Sequence, residues 1–365
     1  MTGKRRTLLQ IPQGTEAFYL EEAYRHRRII ADLDRLYESW GYLPVYTPIF
    51  DFFDNYRPLL SEHALENVYR LIDREGDLLM LRSDITLFLA RQMGLALREE
   101  DLPVRVYYSD VILRHQDRED ISRNEFFQSG VELIGKKGKD ADIEILLLLA
   151  RTLELLDLPG SIHLGTRALF EICSSGLPAA QHAKLGEAIA TRDESRMLSL
   201  FQERDGVSAD YLTRLFKFIG TRQELHEIYL EGKRNSYLSE AGQRELKYLN
   251  VLLDAISKVA PETAFRIDLS EVGAQPYYTG IVFQVYLSGQ DAAIASGGRY
   301  DRLLESFGSP APSVGFSLLL RKVEPAIGNH ERYARAKVEH VTAPTFEEAF
   351  REAERLRKSG KIAVL

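Results

Sequence analysis

Apolar residues first recur at helical spacing between about Thr15 and Trp40. Ile29, Ile30, Leu33, Leu36, Tyr37 and Trp40 fall on one stripe, and Arg, Asp and Glu fill the remaining surface. Gly41 is placed to end that helix, and Tyr42 to Pro48 then reads as a strand closed by its proline. Short alternating or continuously apolar stretches predict strands over 68–72, 78–82, 104–108 and 126–134, with a helix from Asp84 to Gln92 among them. Asp140 or Asp142 can cap a helix over 143–156, which is apolar nearly all round and therefore expected to be buried.

From about Leu169 to Leu253 the alternation stops. Helical patterns cover 183–190, 194–201, 209–219, 222–230 and 241–256, which predicts an all-helical insertion over about 170–255. Strand texture returns at 263–269, 280–287 and 292–296, and helices are expected over 299–304 and 314–323. Strands that follow one another with few helices between them predict an α+β fold, an antiparallel sheet flanked by helices, over a doubly wound parallel sheet. Because strand segments flank the helical stretch, it reads as an insertion into one domain spanning 1–325. Residues 326–365 read as a single βαβ unit. Its strands are expected at 338–341 and from Ile362, with Thr345 and Glu348 at capping-box spacing and Gly360 ending the helix. One such unit cannot bury both faces of its sheet, so it reads as docked on the body or as a shortened version of something larger.

Composition narrows the class. With 45% hydrophobic and 28% charged residues among 365, the chain is a folded one of ordinary surface, long enough for two to three domains or one oversized one. Cys173 is the only cysteine, which excludes an internal disulfide framework and any CxxC site. The longest clean apolar run, Ile145 to Ala150, is far too short to span a membrane. Lys4-Arg5-Arg6 is followed by only two leucines before Gln10, which does not make a secretory leader, so a cytoplasmic protein is expected. A net charge of −7 argues against a broad nucleic-acid surface. The eight histidines are scattered, and neither a metal site nor a bound cofactor is expected. Gly130 to Lys136 spells GxxxxGK, but Lys137 stands where a phosphate loop needs Ser or Thr, and the segment alternates like a strand.

The candidate chemistry is spread over four places. Arg82-Ser83-Asp84-Ile85-Thr86 joins a strand to a helix, so Asp84 is placed to hold an ammonium group. Arg114 precedes a charged stretch, Gln116 to Glu125, with the look of a hairpin loop. On the strand that follows, Gln128, Gly130 and Glu132 share a face, with the glycine leaving room for a ligand over the backbone; a solvated strand face is the plainer reading of that pattern. Tyr277-Tyr278 opens a later strand, and Gly297-Gly298-Arg299-Tyr300-Asp301 reads as a close-approach turn after another.

Taken jointly, these segments resemble the catalytic domain of class II aminoacyl-tRNA synthetases of the histidyl type, over about residues 10 to 325. Trp40-Gly41-Tyr42 through Thr47-Pro48 is similar to the first class II motif, Arg114 through Glu132 to the second, and Gly298 to Asp301 with Ser313 to Phe316 to the glycine-rich turn and the third. The resemblance implies a homodimer built on the first motif. It also implies a histidine site: ammonium at Asp84, Thr86 and Gln128, and imidazole between Glu132 and Tyr278, beside Tyr277. Asp84 replaces the family's longer glutamate, and Arg114 is the candidate for the carboxylate. Such a polar site satisfies both ring nitrogens and rejects analogues strongly.

The nucleotide side departs from the pattern. Where the family has an arginine before its double tyrosine, this chain has Gly273; Leu319 replaces a glycine, Lys322 the phosphate-binding arginine and Gln116 a glutamate. Loss of fixed positive charge costs on the order of 10²–10³ in rate per donor, so no catalytic residue is expected here. With a βαβ remnant in place of an anticodon reader, the chain resembles the regulatory subunits of ATP phosphoribosyltransferase, a synthetase-like family. That implies a short-form catalytic partner, free L-histidine as ligand, feedback inhibition, and no tRNA. The rivals are an active histidyl-tRNA synthetase with unusual motifs and a ligase that adenylates another molecule.

Overall fold

The computed structural model describes residues 14–15, 17–115, 124–202, 208–290, 292–328 and 330–365. Lys4-Arg5-Arg6 and most of the charged loop after Arg114, Gln116 included, lie outside the described residues. In chain order the strands are β1 (Leu43–Pro44), β2 (Phe50–Phe52), β3 (Arg70–Ile72), β4 (Leu78–Leu81), β5 (Val104–Leu113), β6 (Glu125–Ile134) and β7 (Gly160–Thr166). They continue as β8 (Ile219–Gly220), β9 (Ala264–Asp268), β10 (Ile281–Leu287), β11 (Ala295–Arg299), β12 (Ser313–Leu319), β13 (Val338–His340) and β14 (Ile362–Val364). One large sheet has the order β1-β5-β6-β12-β11-β10-β7-β9-β8; β2-β4-β3 form a small second sheet, and β13-β14 a parallel pair. The large sheet is antiparallel except where β1 meets β5 and β7 meets β9, so the expected α+β class is observed.

Two apolar layers sandwich this sheet. Behind it lie the Leu20–Ser39, Lys139–Leu155 and Glu240–Ser257 helices, where Ile29, Leu33 and Tyr37 meet Val131, Leu133, Ile145 and Leu149. In front lies the Ile85–Ala96 helix, whose Leu87, Phe88 and Leu89 pack with Tyr56, Met80, Tyr108 and Tyr300. Period-two alternation divides each strand between these layers: Val106 and Tyr108 join the front, Tyr107 the back. The insertion's Phe170, Phe201, Phe216 and Leu185 belong to the same buried cluster as the back layer.

Several expectations need correction. The strand after Gly41 is two residues long and ends at Pro44, because beyond it the chain leaves the sheet edge for the small second sheet. The expected helix over 314–323 is β12 over its first half, with a helix only from Leu320 to Ile327. Ser-Val-Gly-Phe-Ser-Leu has period two, but both faces are largely buried and its polar side is only two serines and a glycine, so no charged, solvated stripe betrays the strand. Arg299 ends β11 rather than opening a helix; Gly297 and Gly298 are strand residues as well, and the turn starts after them. Neither Asp140 nor Asp142 caps the 139–155 helix, whose N-cap position is Gly138. Asp142 instead points inward, accepting from Arg299 Nε at 2.8 Å and Tyr248 OH at 2.5 Å. The insertion is not wholly helical, since β8 extends the large sheet beside β9. In the last unit Thr345 Oγ1 accepts from Glu348 N at 3.2 Å, and Gly360 takes a positive φ of 83°.

Candidate functional site

The site is assembled by strand register. On β6, Gln128, Gly130 and Glu132 stand opposite Asp110, Tyr108 and Val106 of β5 and opposite Leu319, Ser317 and Gly315 of β12. Directly opposed residues share a face, so these three strands present one polar patch toward the front layer. The space expected above Gly130 is already used. A Cβ there would lie 2.7 Å from the Tyr108 hydroxyl, so the glycine admits the phenol rather than a ligand.

Glu132 is the centre of that patch and is buried. Its Oε1 accepts from Thr86 Oγ1 at 2.6 Å and Tyr108 OH at 3.3 Å, while Tyr300 OH donates to Oε2. Burial pushes its acid up to about 8, against the pull of the Thr86 and Tyr300 hydroxyls, so at neutral pH it holds a proton. A protonated carboxyl beside several phenols can donate to one ring nitrogen of an azole and accept from another.

Asp84 is held at the mouth of the site by its place at a helix start. Its Oδ1 accepts from Leu87 N at 3.1 Å, a cap worth about 1 kcal/mol, and its Oδ2 pairs with Arg114 Nη2 at 3.2 Å. Arg114 also donates from Nε to the Ser83 carbonyl at 2.6 Å. Gln128 spans two elements, accepting from Ile85 N at 3.2 Å and donating to Ser317 Oγ at 2.7 Å. Tyr277 and Tyr278 lie in the turn before β10, which starts only at Ile281; their rings stand 5.2 Å apart, and Tyr277 meets Tyr300 edge-on at 5.8 Å. Burial raises both phenols far above their usual range, so they stay protonated donors.

All seven sequence-predicted residues, Asp84, Thr86, Arg114, Gln128, Glu132, Tyr277 and Tyr278, line a single inner cavity of about 80 Å³. Arg114 and Gln275 are shared with two adjoining cavities, of about 190 and 480 Å³, so the inner space opens past them. Sequence reasoning missed Tyr108, Ser317 and Gln275, and left Tyr300 without a role. Tyr300 stands in a segment singled out for its glycines, and strand alternation put Tyr108 on a face, but which faces meet depends on pairing partners.

The second side of the site is differently made. Gly273 has φ +80°, and a Cβ on it would lie 2.7 Å from the Tyr278 ring. An arginine at this backbone would be strained twice over. Leu319 lines both the inner and the 190 Å³ cavity, whereas Lys322 lines neither. Arg321 turns to the opposite layer, its guanidinium 3.4 Å from the Phe18 ring centre and 3.7 Å from Glu22. Among the described residues no cluster of three His, Cys, Asp or Glu is placed to hold a metal ion, and no helix is long and apolar enough to cross a membrane.

Residues 14–323 match the family model described as histidyl-tRNA synthetase. A Moorella thermoacetica protein named ATP phosphoribosyltransferase regulatory subunit is 32% identical over 365 residues, spanning 98% of this chain and 92% of the relative. A Symbiobacterium thermophilum protein of the same name is 33% identical over 326 residues, 86% of this chain and 78% of the relative. Among solved structures, a Bacillus halodurans protein described as an ATP phosphoribosyltransferase regulatory subunit/histidyl-tRNA synthetase superposes with a TM-score of 0.84 at 24% identity, covering 98% of this chain and 92% of that one. The histidyl-tRNA synthetase of a Nostoc species gives 0.79 at 20% identity, over 98% and 85%. At those identities the structural likeness speaks for the fold alone.

Proposed function

We propose, since the chain belongs to the ATP phosphoribosyltransferase regulatory subunits within the histidyl-tRNA synthetase family, that it senses L-histidine for a short-form catalytic subunit and performs no aminoacylation itself. The observation that carries this reading is the contrast inside one site. The residues suited to an amino acid converge on one cavity, while the position that would hold a phosphate-stabilising arginine is a glycine with Tyr278 against it. In this reading the imidazole lies between Glu132 and Tyr278, the ammonium meets Asp84, Thr86 and Gln128, and the carboxylate meets Arg114. Losing the charge that stabilises phosphoryl transfer removes catalysis without touching amino-acid recognition.

Regulation then demands a difference. Histidine transmits inhibition only by binding one conformation of the assembly better than another, and the partner's active state must disfavour histidine by the same factor. A homodimer core belongs to the same reading. It is supported by the apolar edge around β1 and β2, where Leu43, Tyr46, Ile49, Phe50 and Phe52 are exposed, Tyr46 by 84%. The division of the chain at about residue 325 belongs to that reading too, with β13 and β14 paired only with each other among the described residues.

The direct test mixes the purified chain with a short-form catalytic subunit and follows condensation of ATP with phosphoribosyl pyrophosphate. Activity is expected to rise on mixing and to fall on adding L-histidine. A catalytic subunit that runs at full speed alone, and ignores histidine in the mixture, would overturn the proposal.

A further inference from the structure

Arg82 is the largest fully buried side chain in the described residues, 1% exposed, and its charge is spent on a junction rather than on a ligand. It follows β4 of the small sheet by one residue. From there its guanidinium donates to the Val111 carbonyl of β5 from Nε at 3.0 Å and from Nη2 at 2.7 Å, and Nη2 pairs with Asp110 at 2.8 Å. Nη1 donates to both the carbonyl and the hydroxyl of Thr47, each at 2.8 Å. The backbone adds two more ties, Arg82 N to Ile49 O and Leu113 N to Arg82 O, both 2.8 Å. One residue therefore splices the two sheets and the loop after β1.

The splice sits beside the two charges of the cavity mouth. Asp84 follows Arg82 by two residues and travels with the small-sheet side; Arg114 follows β5 and travels with the large sheet. A zwitterion bridging Asp84 and Arg114 needs a set spacing between them, and the junction of the two sheets supports the direct ties that hold it, Arg114 Nη2 to Asp84 at 3.2 Å and Arg114 Nε to the Ser83 carbonyl at 2.6 Å. Glu132, at the ring end, belongs to the large sheet and keeps the Tyr108 and Tyr300 hydroxyls as partners whatever the splice does. We infer that Arg82 is a positioning residue that spaces Asp84 and Arg114 for the charged backbone of a free α-amino acid, leaving recognition of its ring to the large sheet. The inference rests on the histidine reading above. Thr47 is the adjustable partner: its neighbours Tyr46 and Ile49 face outward, so whatever covers that apolar edge bears on the splice through Thr47.

The test compares two ligands by calorimetry on the full chain: L-histidine, which uses both ends of the cavity, and 4-methylimidazole, which lacks the charged backbone. Thr47→Val, which removes one acceptor, is expected to weaken L-histidine about threefold, and Arg82→Lys about tenfold or more. Thr47→Ser, which keeps the hydroxyl, is expected to restore wild-type affinity. Binding of 4-methylimidazole should stay within error in Thr47→Val. Should Arg82→Lys fail to fold, Thr47→Val against Thr47→Ser decides the matter alone. Unchanged L-histidine affinity with only a lower melting temperature would overturn the inference, as would equal weakening of both ligands. A wild-type chain that ignores L-histidine would instead sink the histidine reading, and this inference with it.

Discussion

Around Glu132, three hydroxyls converge on one buried carboxyl, and each hydroxyl comes from a different element: Thr86 from a helix, Tyr108 from β5, Tyr300 from the turn after β11. Around Gly273, on the wall of the adjoining cavity, the nearest groups are the Tyr278 ring and the Val282 side chain, and the cation on that wall is Arg114, already paired with Asp84. The difference is one of mutual dependence. Removing Glu132 takes the acceptor from the buried Tyr300 hydroxyl, and removing any of the three hydroxyls takes a donor from the buried carboxyl, at about 1–3 kcal/mol for a group left unsatisfied. A cation reaching toward a nucleotide from a rim leaves little behind when it is lost. Buried reciprocal networks therefore persist as a unit, whereas a ring of phosphate donors can be dismantled one residue at a time.

The widest gap between the two regions should appear in ATP–pyrophosphate exchange with L-histidine. None above background is expected, in keeping with losses on the order of 10²–10³ for each missing donor. Gly273→Arg should not restore it, because the positive φ and the Tyr278 ring oppose the side chain, and it should lower the melting temperature. Robust exchange by the wild-type chain would erase the contrast. Next in size, Glu132→Ala should weaken L-histidine binding by about 10- to 100-fold, since the ring would lose a hydrogen-bond partner in a buried site; calorimetry that found equal affinities would move the imidazole elsewhere. Arg114→Ala should cost less, about tenfold, because the guanidinium is partly exposed. No change at all would mean another group takes the carboxylate.

The last effect is a slope. Glu132 is raised from 4.5 to about 8 in the folded chain, so its bound proton stabilises the fold below the ordinary glutamate range. That contribution is lost as pH rises across this interval. Denaturant titrations should show wild-type stability declining with pH more steeply than that of Glu132→Gln, by at most about 1.4 kcal/mol per pH unit for a single proton. Parallel curves would place the titration outside the cavity.

Much of this was legible in the chain. The helical stripe of Ile29, Leu33 and Tyr37, the strand-to-helix junction at Asp84, and Gln128 and Glu132 on one face all rest on local pattern, and the structure keeps them. The failures cluster where both faces of an element are covered. In β12 Val314, Phe316 and Leu318 alternate with Ser313, Gly315 and Ser317, but both sides are largely buried and no charged side marks the alternation. Asp142 misled for a related reason: a carboxylate near a helix start looks like a cap until Arg299, from a distant strand, is found against it.

The amino-acid sequence alone determined the periodicities, the turn at Gly41, the residue types able to meet an amino acid, and the glycine where an arginine would be needed, because each of these is written within a few neighbouring positions. Tertiary structure alone decided that Tyr108 fills the space above Gly130, that Tyr300 closes on Glu132, and that Arg82 joins two sheets beneath the Asp84–Arg114 pair. Those facts depend on strand register and on contacts between residues far apart in the chain. Which partners pair is settled by the packing of the whole sheet against its two layers, and no local pattern encodes it.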